Sequence, residues 1–194
     1  MEDNPSSFSQ YNAADDLISR NLKAGRGNKI AFRDRSGVHS YLEIEERTNQ
    51  FANLLISMNI KQESRLILVM SDSADLVICF LGAIKAGVVP VPLNTRLSSE
   101  DYAYIFSDSR ADACVISEHL VDIVSKNVPE PARVLVDGSS DAYPTLASVL
   151  ESADKTRVIA STKPDDVCFW LYTSGTTGSP KGVVHLHSHL APTA

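Results

Sequence analysis

The chain has 194 residues, of which 43% are hydrophobic and 22% charged, a composition that excludes an intrinsically disordered chain and is typical of a domain with a buried core. Its formal net charge of -6, with no block of basic residues, excludes a general attraction to nucleic acid or anionic lipid. The longest uncharged apolar run, residues 76–84, is far shorter than the roughly 20 residues that a membrane span needs. An anionic ligand would therefore need a local positive site.

The three cysteines indicate a reducing compartment. Cys79, Cys114 and Cys168 each lie in an apolar run and have no CxxC spacing, so we interpret them as buried free thiols and not as catalytic nucleophiles. The N-terminus is polar and acidic and lacks the charged-then-apolar pattern of a signal peptide. We expect a cytoplasmic protein.

The first predicted elements are a helix, a hairpin and a second helix. Asn12 precedes two aspartates and a helical pattern of apolar residues, which predicts a capped helix that ends near Gly25. Residues 29–42 contain two short apolar stretches around a Ser-Gly turn and predict a β-hairpin. Ser40 and Glu43 have capping-box spacing and predict the start of an amphipathic helix.

Beyond this point apolar strands alternate with helices. The predicted strands cover residues 65–70, 88–93, 113–117, 132–137 and 167–173. This alternation predicts an α/β fold with a mostly parallel, open sheet and helices on both faces.

The predicted elements also divide the chain into three parts. Residues 1–136 would form the first α/β part. Residues 137–164, rich in Ser, Asp, Thr and Pro, would be a surface excursion. Residues 165–194 would contain a strand, a polar loop and the start of the next helix.

The loop after the strand at 167–173 has the chemistry of a phosphate site. In open α/β sheets ligands bind beyond the carboxyl ends of the strands, where this loop would lie. Gly175 and Gly178 would allow backbone N–H groups to turn toward an anion, and the hydroxyls between them add donors. Lys181 supplies a positive charge, and Pro180 limits the directions in which it leaves the loop.

Two common nucleotide motifs do not match this loop. A Walker-type loop requires Gly-Lys-[Ser/Thr], whereas Lys181 follows Pro180 and precedes Gly182. The dinucleotide pattern GxGxxG is approached only at "GRGNKI", which lacks the third glycine and follows a predicted helix. A flexible polar linker is the remaining alternative, and the fixed Pro-Lys-Gly after an apolar strand disfavours it.

The stretch "YTSGTTGSPKGV" resembles the phosphate-binding signature of the adenylate-forming superfamily of acyl-CoA synthetases, peptide-synthetase adenylation domains and luciferases. The stretches "SYLEIEERTNQFANLL" and "FLGAIKAGVVPVPLNTRLSSEDYAYIFSDSRADACVIS" resemble further blocks of that superfamily. Within it, "YNAADDLISRNL", "EDYAYIFSDSRA" and "DDVCFWLYTSGTTGSPKGVVHLH" are similar to the benzoate-CoA ligase branch.

This resemblance implies that the chain is the N-terminal part of an ATP-dependent acid–CoA ligase. In that reaction a carboxylate attacks the α-phosphate of MgATP, and coenzyme A then displaces AMP to form the thioester. The implied partners are ATP, Mg²⁺, coenzyme A and a benzoate-type acid, and the implied catalytic and metal-binding residues lie beyond residue 194. The implied ATP phosphate-binding residues are Thr173, Ser174, Gly175, Thr176, Thr177, Gly178 and Lys181.

A second class of function stays open at this point. A short, non-catalytic nucleotide-binding or interaction module could keep the loop after losing the rest of such an enzyme. The DNA downstream of codon 194 discriminates the two classes, since a continuing frame with a ribose-binding Asp and a distal Lys supports the enzyme. We expect the chain alone to be inactive.

Other conspicuous residues have structural interpretations. The alternating histidines at 185–189 could bind zinc, but no carboxylate or cysteine lies near them in sequence, and the superfamily commonly has a histidine at the position of His187. Phe169 and Trp170 lie in so apolar a run that we interpret them as core. We interpret residues 108–112, with Asp108, Arg110 and Asp112, as a cap and a solvated turn.

Overall fold

The computed structural model describes residues 10–173 and 179–190. In this part of the chain short 3₁₀ turns lie at Glu118–Leu120, Ser125–Asn127 and His187–Leu190. The α-helices are α1 (Ala13–Lys23), α2 (Tyr41–Ser57), α3 (Ala74–Lys85), α4 (Ser99–Ser109), α5 (Val121–Val124) and α6 (Leu146–Glu151).

The strands form three separate sheets. They are β1 (Ile30–Asp34), β2 (Gly37–Ser40), β3 (Arg65–Val69), β4 (Val89–Pro92), β5 (Ala113–Ser117), β6 (Arg133–Asp137), β7 (Val167–Thr173) and β8 (Lys181–Leu186). A parallel sheet has the order β4-β3-β5-β6, while β1 pairs with β2 and β7 pairs with β8 as antiparallel hairpins.

Helices cover both faces of the parallel sheet because its strands are apolar on both sides. Side chains alternate along a strand, so Leu66 and Leu68 of β3 enter one core cluster while Ile67 and Val69 enter another. The first cluster includes residues of α1, α2, α3 and α6, and the second includes residues of α4 and α5. This arrangement confirms the predicted α/β fold.

The predicted helix starts are confirmed by their caps. The side chain of Asn12 accepts a hydrogen bond from the backbone N–H of Asp15, and that of Ser40 accepts from Glu43. Ser98 and Asp101 form a complete capping box at the start of α4. These contacts satisfy N–H groups that have no partner within their helix.

Helices α2 and α3 cross closely at Gly82. A Cβ atom at this position would lie 2.9 Å from the carbonyl oxygen of Thr48 and 3.0 Å from Phe51, so only glycine fits. One turn later Lys85 is fully buried, and its Nζ donates to Glu45 Oε2 at 2.8 Å and to Asn49 Oδ1 at 2.7 Å. The crossing therefore encloses an ion pair that the apolar sequence around Lys85 did not predict.

The segment 137–164 contains both exposed and packed residues. Leu146 and Leu150 of α6 are buried in the first core cluster. Further along, the backbone N–H of Ala160 donates to Lys85 O at 2.8 Å, and Thr162 O accepts from the N–H of Tyr11 at 2.8 Å. That this segment separates two parts of the domain stays a prediction.

The last strand pair does not extend the parallel sheet. β7 packs against β4, but the two have no shared hydrogen-bond ladder in the described residues. Its partner is β8, with Thr173 opposite Lys181 and Tyr172 opposite Gly182. The polar loop therefore connects the two strands of a hairpin, and strand β8 lies between this loop and the helical turn at His187–Leu190.

Candidate functional site

A cleft of about 820 Å³ opens at the carboxyl ends of β3 and β4. Its walls come from the ends of these strands, from the segments that follow them and from β7. The lining includes Leu68, Met70, Ser71, Pro92, Leu93, Asn94, Thr95 and Leu171. This is the edge of an open α/β sheet at which ligands bind, so the cleft is the candidate ligand site.

Two arginines, Arg35 and Arg96, line the cleft together with Asp72. Arg35 lies on the turn between β1 and β2, and the preceding Asp34 fixes that turn to α3. One carboxylate oxygen of Asp34 accepts from the N–H of Ala74 at 2.7 Å, and the other accepts from the N–H of Ser36 at 2.8 Å. The hydrogen bonds from Ala74 and Ser36 hold the pKa of Asp34 below its ordinary value. Arg35 is therefore carried on a well-anchored turn, and the cleft suits an anionic group.

Strand β7 connects the cleft to the predicted phosphate loop. Leu171 lines the cleft, and Thr173 lies two residues further on the same face of the strand. Thr173 is paired with Lys181 across the hairpin, and both residues are exposed. The loop thus begins and ends at a strand pair next to the cleft.

The structure describes only part of the predicted phosphate site. Thr173 and Lys181 are brought together at the base of the hairpin. Ser174, Gly175, Thr176, Thr177 and Gly178 lie outside the described residues.

The opposite face of β7 packs on the domain core. Trp170 and Tyr172 both pack against the second core cluster, and the guanidinium carbon of Arg65 lies 5.8 Å from the centre of the Trp170 ring.

Phe169 is buried beside α1 and α3, and its ring stacks on that of His185 with 4.4 Å between ring centres. The interpretation as a core residue is confirmed for Phe169, whereas Trp170 is half-buried and packs against the second core cluster.

Tyr172 makes a contact that the sequence did not predict. Its hydroxyl donates to Asp108 Oδ2 at 2.6 Å, so Asp108 binds the strand that leads into the phosphate loop and is more than part of a solvated turn. Burial and this hydrogen bond raise the pKa of Tyr172 above its ordinary value. Arg110 does end α4 as expected, in a left-handed conformation.

The three alternating histidines have separate structural contacts. His185 stacks on Phe169, and His189 Nδ1 accepts a hydrogen bond from the N–H of Leu186 at 3.2 Å. His187 is buried, and its Nδ1 accepts from the N–H of Ala13 at 3.1 Å. Within residues 10–173 and 179–190 there is no group of three or more His, Cys, Asp or Glu side chains placed to hold a metal ion.

All three cysteines are buried free thiols, as predicted. Burial raises the pKa of Cys114 and of Cys168 to about 12 and raises that of Cys79 well above its ordinary value. Because the thiolate is the reactive form, these side chains are inert near neutral pH.

The fold, the cleft at the strand ends and the hairpin that carries the polar loop match a known class of enzyme. The family model for the AMP-binding enzyme matches residues 19–194, and the chain therefore belongs to the AMP-binding enzyme family. No helix in the described part of the chain combines the length and the apolarity of a membrane span.

Comparison with individual proteins shows which members of the family this chain resembles. The chain is 42% identical over 189 residues to the benzoate--CoA ligase of Thauera aromatica, covering 95% of this chain and 36% of that one. The crystal structure of a benzoate CoA ligase from Burkholderia xenovorans LB400 matches with a TM-score of 0.82 and 36% identity over 92% of this chain and 35% of that one. An anthranilate CoA ligase in complex with anthranoyl-AMP matches with a TM-score of 0.85 and 30% identity over the same shares. The chain thus spans about a third of the length of the relatives it matches.

Proposed function

We propose that the chain is the N-terminal part of an ATP-dependent acid–CoA ligase for benzoate-type aromatic acids. The observation that carries this proposal is that the sequence "TSGTTGSPK" joins β7 to β8, whose paired ends Thr173 and Lys181 lie next to the cleft. The relatives that share this fold and sequence are named as ligases of benzoate and anthranilate with coenzyme A. They disfavour the alternative of a non-catalytic module.

The proposed reaction has two steps. A carboxylate oxygen of the acid attacks the α-phosphorus of ATP and releases pyrophosphate, which leaves acyl-AMP. The thiol sulfur of coenzyme A then attacks the acyl carbon, the thiol proton goes to solvent, and AMP departs as the thioester forms. The first step develops negative charge on the bridging oxygen and the leaving pyrophosphate.

We assign this chain the task of holding the ATP phosphates during the first step. The proposed ligands are Thr173, Ser174, Gly175, Thr176, Thr177, Gly178 and Lys181. Backbone N–H groups and hydroxyls of the loop would donate to the β- and γ-phosphates, and the ammonium group of Lys181 would stabilise charge on the leaving pyrophosphate. The Thr173–Lys181 pair supports this assignment because it brings both ends of the loop to one place.

Magnesium enters the proposal only as the partner of ATP. The described residues have no acidic cluster that fits the ion, so no step of this chain is assigned to it. We propose that its ligands, and those of the adenine, ribose and aryl groups, lie in the part of the enzyme that follows residue 194. The three unreactive buried thiols support the proposal of a reducing, cytoplasmic compartment.

The decisive experiment uses the whole enzyme encoded by the continuing reading frame. We expect exchange of labelled pyrophosphate into ATP that depends on benzoate, and coenzyme A-dependent formation of benzoyl-CoA. A panel of carboxylic acids would identify the substrate class. A large preference in kcat/KM for medium-chain fatty acids or amino acids over every benzoate would contradict the aromatic assignment, and exchange with no acid at all would contradict the ligase assignment.

A further inference from the structure

The hairpin that carries the phosphate loop is held to the rest of the domain at a point just before the loop begins. Tyr172 immediately precedes Thr173, the last residue of β7. The hydroxyl of Tyr172 donates to Asp108 Oδ2 at 2.6 Å. Asp108 lies on α4, which packs on the parallel sheet through Tyr102, Ile105 and Phe106. In addition to the packing of Trp170 and Tyr172, this hydrogen bond therefore holds the loop end of the hairpin to a helix of the domain core.

The residue opposite Tyr172 leaves room for its ring. A Cβ atom at Gly182 would lie 3.2 Å from Cζ of Tyr172 and 3.4 Å from its hydroxyl oxygen. Such an approach is tighter than most real contacts, so a Cβ atom at Gly182 would require the ring to shift by a few tenths of an ångström. Gly182 directly follows Lys181, so the glycine, the ring and the lysine lie together at the base of the loop.

The position of Asp108 is unfavourable for helix α4 by itself. It lies in the last turn, where the partial negative charge of the helix C-terminus repels a carboxylate, and α4 has no basic residue there to compensate. The compensation comes from the Tyr172 hydroxyl and from the guanidinium of Arg65, which donates to the backbone oxygens of Ser109 and Arg110 at the same helix end. Arg65 also lies over Trp170, two residues before Tyr172 on the same face of β7. The C-terminal end of α4 therefore contacts β7 directly through Asp108 and indirectly through Arg65.

We infer that Tyr172 and Asp108 are positioning residues that fix the phosphate loop relative to the cleft. The side chain of Tyr172 points away from the cleft face on which Leu171 and Thr173 lie, so neither it nor Asp108 touches the ligand. Their hydrogen bond sets where β7 ends, and hence where Thr173 and its partner Lys181 would meet the ATP phosphates. Since misplacement of a binding group by about 1 Å can cost about a hundredfold in rate, loss of this bond should weaken the use of ATP selectively.

This inference rests on the proposed function, and its test uses the whole enzyme with two matched pairs of variants. Tyr172→Phe deletes the hydroxyl and keeps the ring over Gly182. Asp108→Ala deletes the acceptor, whereas Asp108→Asn keeps an oxygen that can accept. Tyr143→Phe, at a half-buried tyrosine of the segment 137–164, is the control.

In acid-dependent pyrophosphate exchange, Tyr172→Phe and Asp108→Ala should each raise the KM for ATP by about tenfold and leave the KM for the acid nearly unchanged. The double variant should be no worse than either single variant. Asp108→Asn should recover most of the loss, and Tyr143→Phe should behave as wild type. A KM for ATP that Tyr172→Phe leaves unchanged would overturn the inference, and so would equal losses for ATP and acid that follow a fall in melting temperature.

A second measurement keeps the inference testable if the whole enzyme proves not to be a ligase. Amide hydrogen exchange of the 194-residue chain should become faster in the Tyr172→Phe variant at residues 171–173 and 181–183 and stay unchanged in β3. Gly182→Ala should have a smaller effect in the same residues, because it requires only a small shift of the Tyr172 ring. Unchanged exchange in the hairpin would overturn the positioning role whatever the substrate, whereas absent ligase activity with faster hairpin exchange would overturn only the proposed function.

Discussion

The Nδ1 atom of His187 accepts a hydrogen bond from the backbone N–H of Ala13 at 3.1 Å, although 174 positions separate the two residues in the chain. The N–H belongs to the first residue of α1 and has no partner within the helix. Both residues are buried, so water cannot replace the histidine. The 3₁₀ turn that follows the β7–β8 hairpin thus caps the first helix of the described chain.

We expect His187→Ala to lower the free energy of unfolding by about 1–3 kcal/mol, because it leaves the buried N–H of Ala13 without an acceptor. His187→Asn places a side-chain oxygen near the position of Nδ1 and should cost clearly less. Urea denaturation of both variants at pH 7.5 measures the difference. Equal destabilisation by the two substitutions would show that ring volume, and not the hydrogen bond, matters at this position.

Two histidines should give the stability opposite dependences on pH. Burial lowers the pKa of His187 below its ordinary value of 6.5, so its contribution is present above that value and is lost as the pH falls through the folded-state pKa. Burial also acts to lower the pKa of His39, but the carboxylates of Glu43 and Asp34 outweigh it and raise that pKa above 6.5. The contribution of His39 is therefore present below 6.5 and is lost as the pH rises through its folded-state pKa. The free energy of unfolding should be measured from pH 5 to 8. In His187→Asn it should no longer decrease toward acid pH, and in His39→Asn it should no longer decrease toward alkaline pH. Profiles that match the wild type would contradict these assignments.

The buried ion pair of Lys85 and Glu45 should be sensitive to loss of one partner. Burial lowers the pKa of Lys85, and the Glu45 carboxylate opposes that shift. Lys85→Met removes the cation and leaves Glu45 largely buried, which we expect to cost about 3–5 kcal/mol. Lys155→Met breaks the exposed contact with Glu46 at 3.5 Å and should cost less than about 1 kcal/mol. Thermal or urea unfolding compares the two, and similar costs would mean that the buried pair contributes no more than a surface pair.

Lys181 should act on adenylation and not on thioester formation. In the whole enzyme Lys181→Ala should slow acyl-AMP formation by roughly ten- to a thousandfold, because a charge that stabilises the leaving pyrophosphate is removed. Transfer of the acyl group from preformed acyl-AMP to coenzyme A should change little. The exposed Lys155→Ala is the control. Equal losses in both half-reactions would mean that Lys181 has only a structural role.

The 194-residue chain alone should neither form acyl-AMP nor make a thioester, because the resemblance places the adenine, ribose and magnesium contacts beyond residue 194. It should also self-associate, since Leu171, Val183 and Val184 of the hairpin are 38%, 43% and 45% exposed. Val183→Lys should shift the chain toward the monomer in analytical ultracentrifugation. Pyrophosphate exchange above background from a clean monomer would show that the site is complete within these residues.

The sequence predicted local features well and distant contacts poorly. The caps at Asn12 and Ser40 were predictable because a cap and the N–H that it binds lie three residues apart. The alternation of apolar strands and helices likewise predicted the sheet and the faces that it buries.

The contacts that organise the candidate site join residues that are far apart in the chain. Asp108 was interpreted as part of a solvated turn because nothing in its neighbourhood indicates Tyr172, 64 positions away. The buried partner of Lys85 lies 40 positions earlier, and that of His187 lies at the start of the described chain. Only the folded chain brings these pairs together.

The ends of β3 and β4 that line the cleft and the β7–β8 hairpin belong to different sheets, whose hydrogen-bond ladders do not meet in the described residues. A ligand that reaches from the ends of β3 and β4 to the Thr173–Lys181 pair would span the boundary between them. Its binding energy would oppose any separation of the hairpin from the parallel sheet. A nucleotide in this position would therefore act as a non-covalent crosslink, and the hairpin would gain more thermal resistance from it than the four-stranded core.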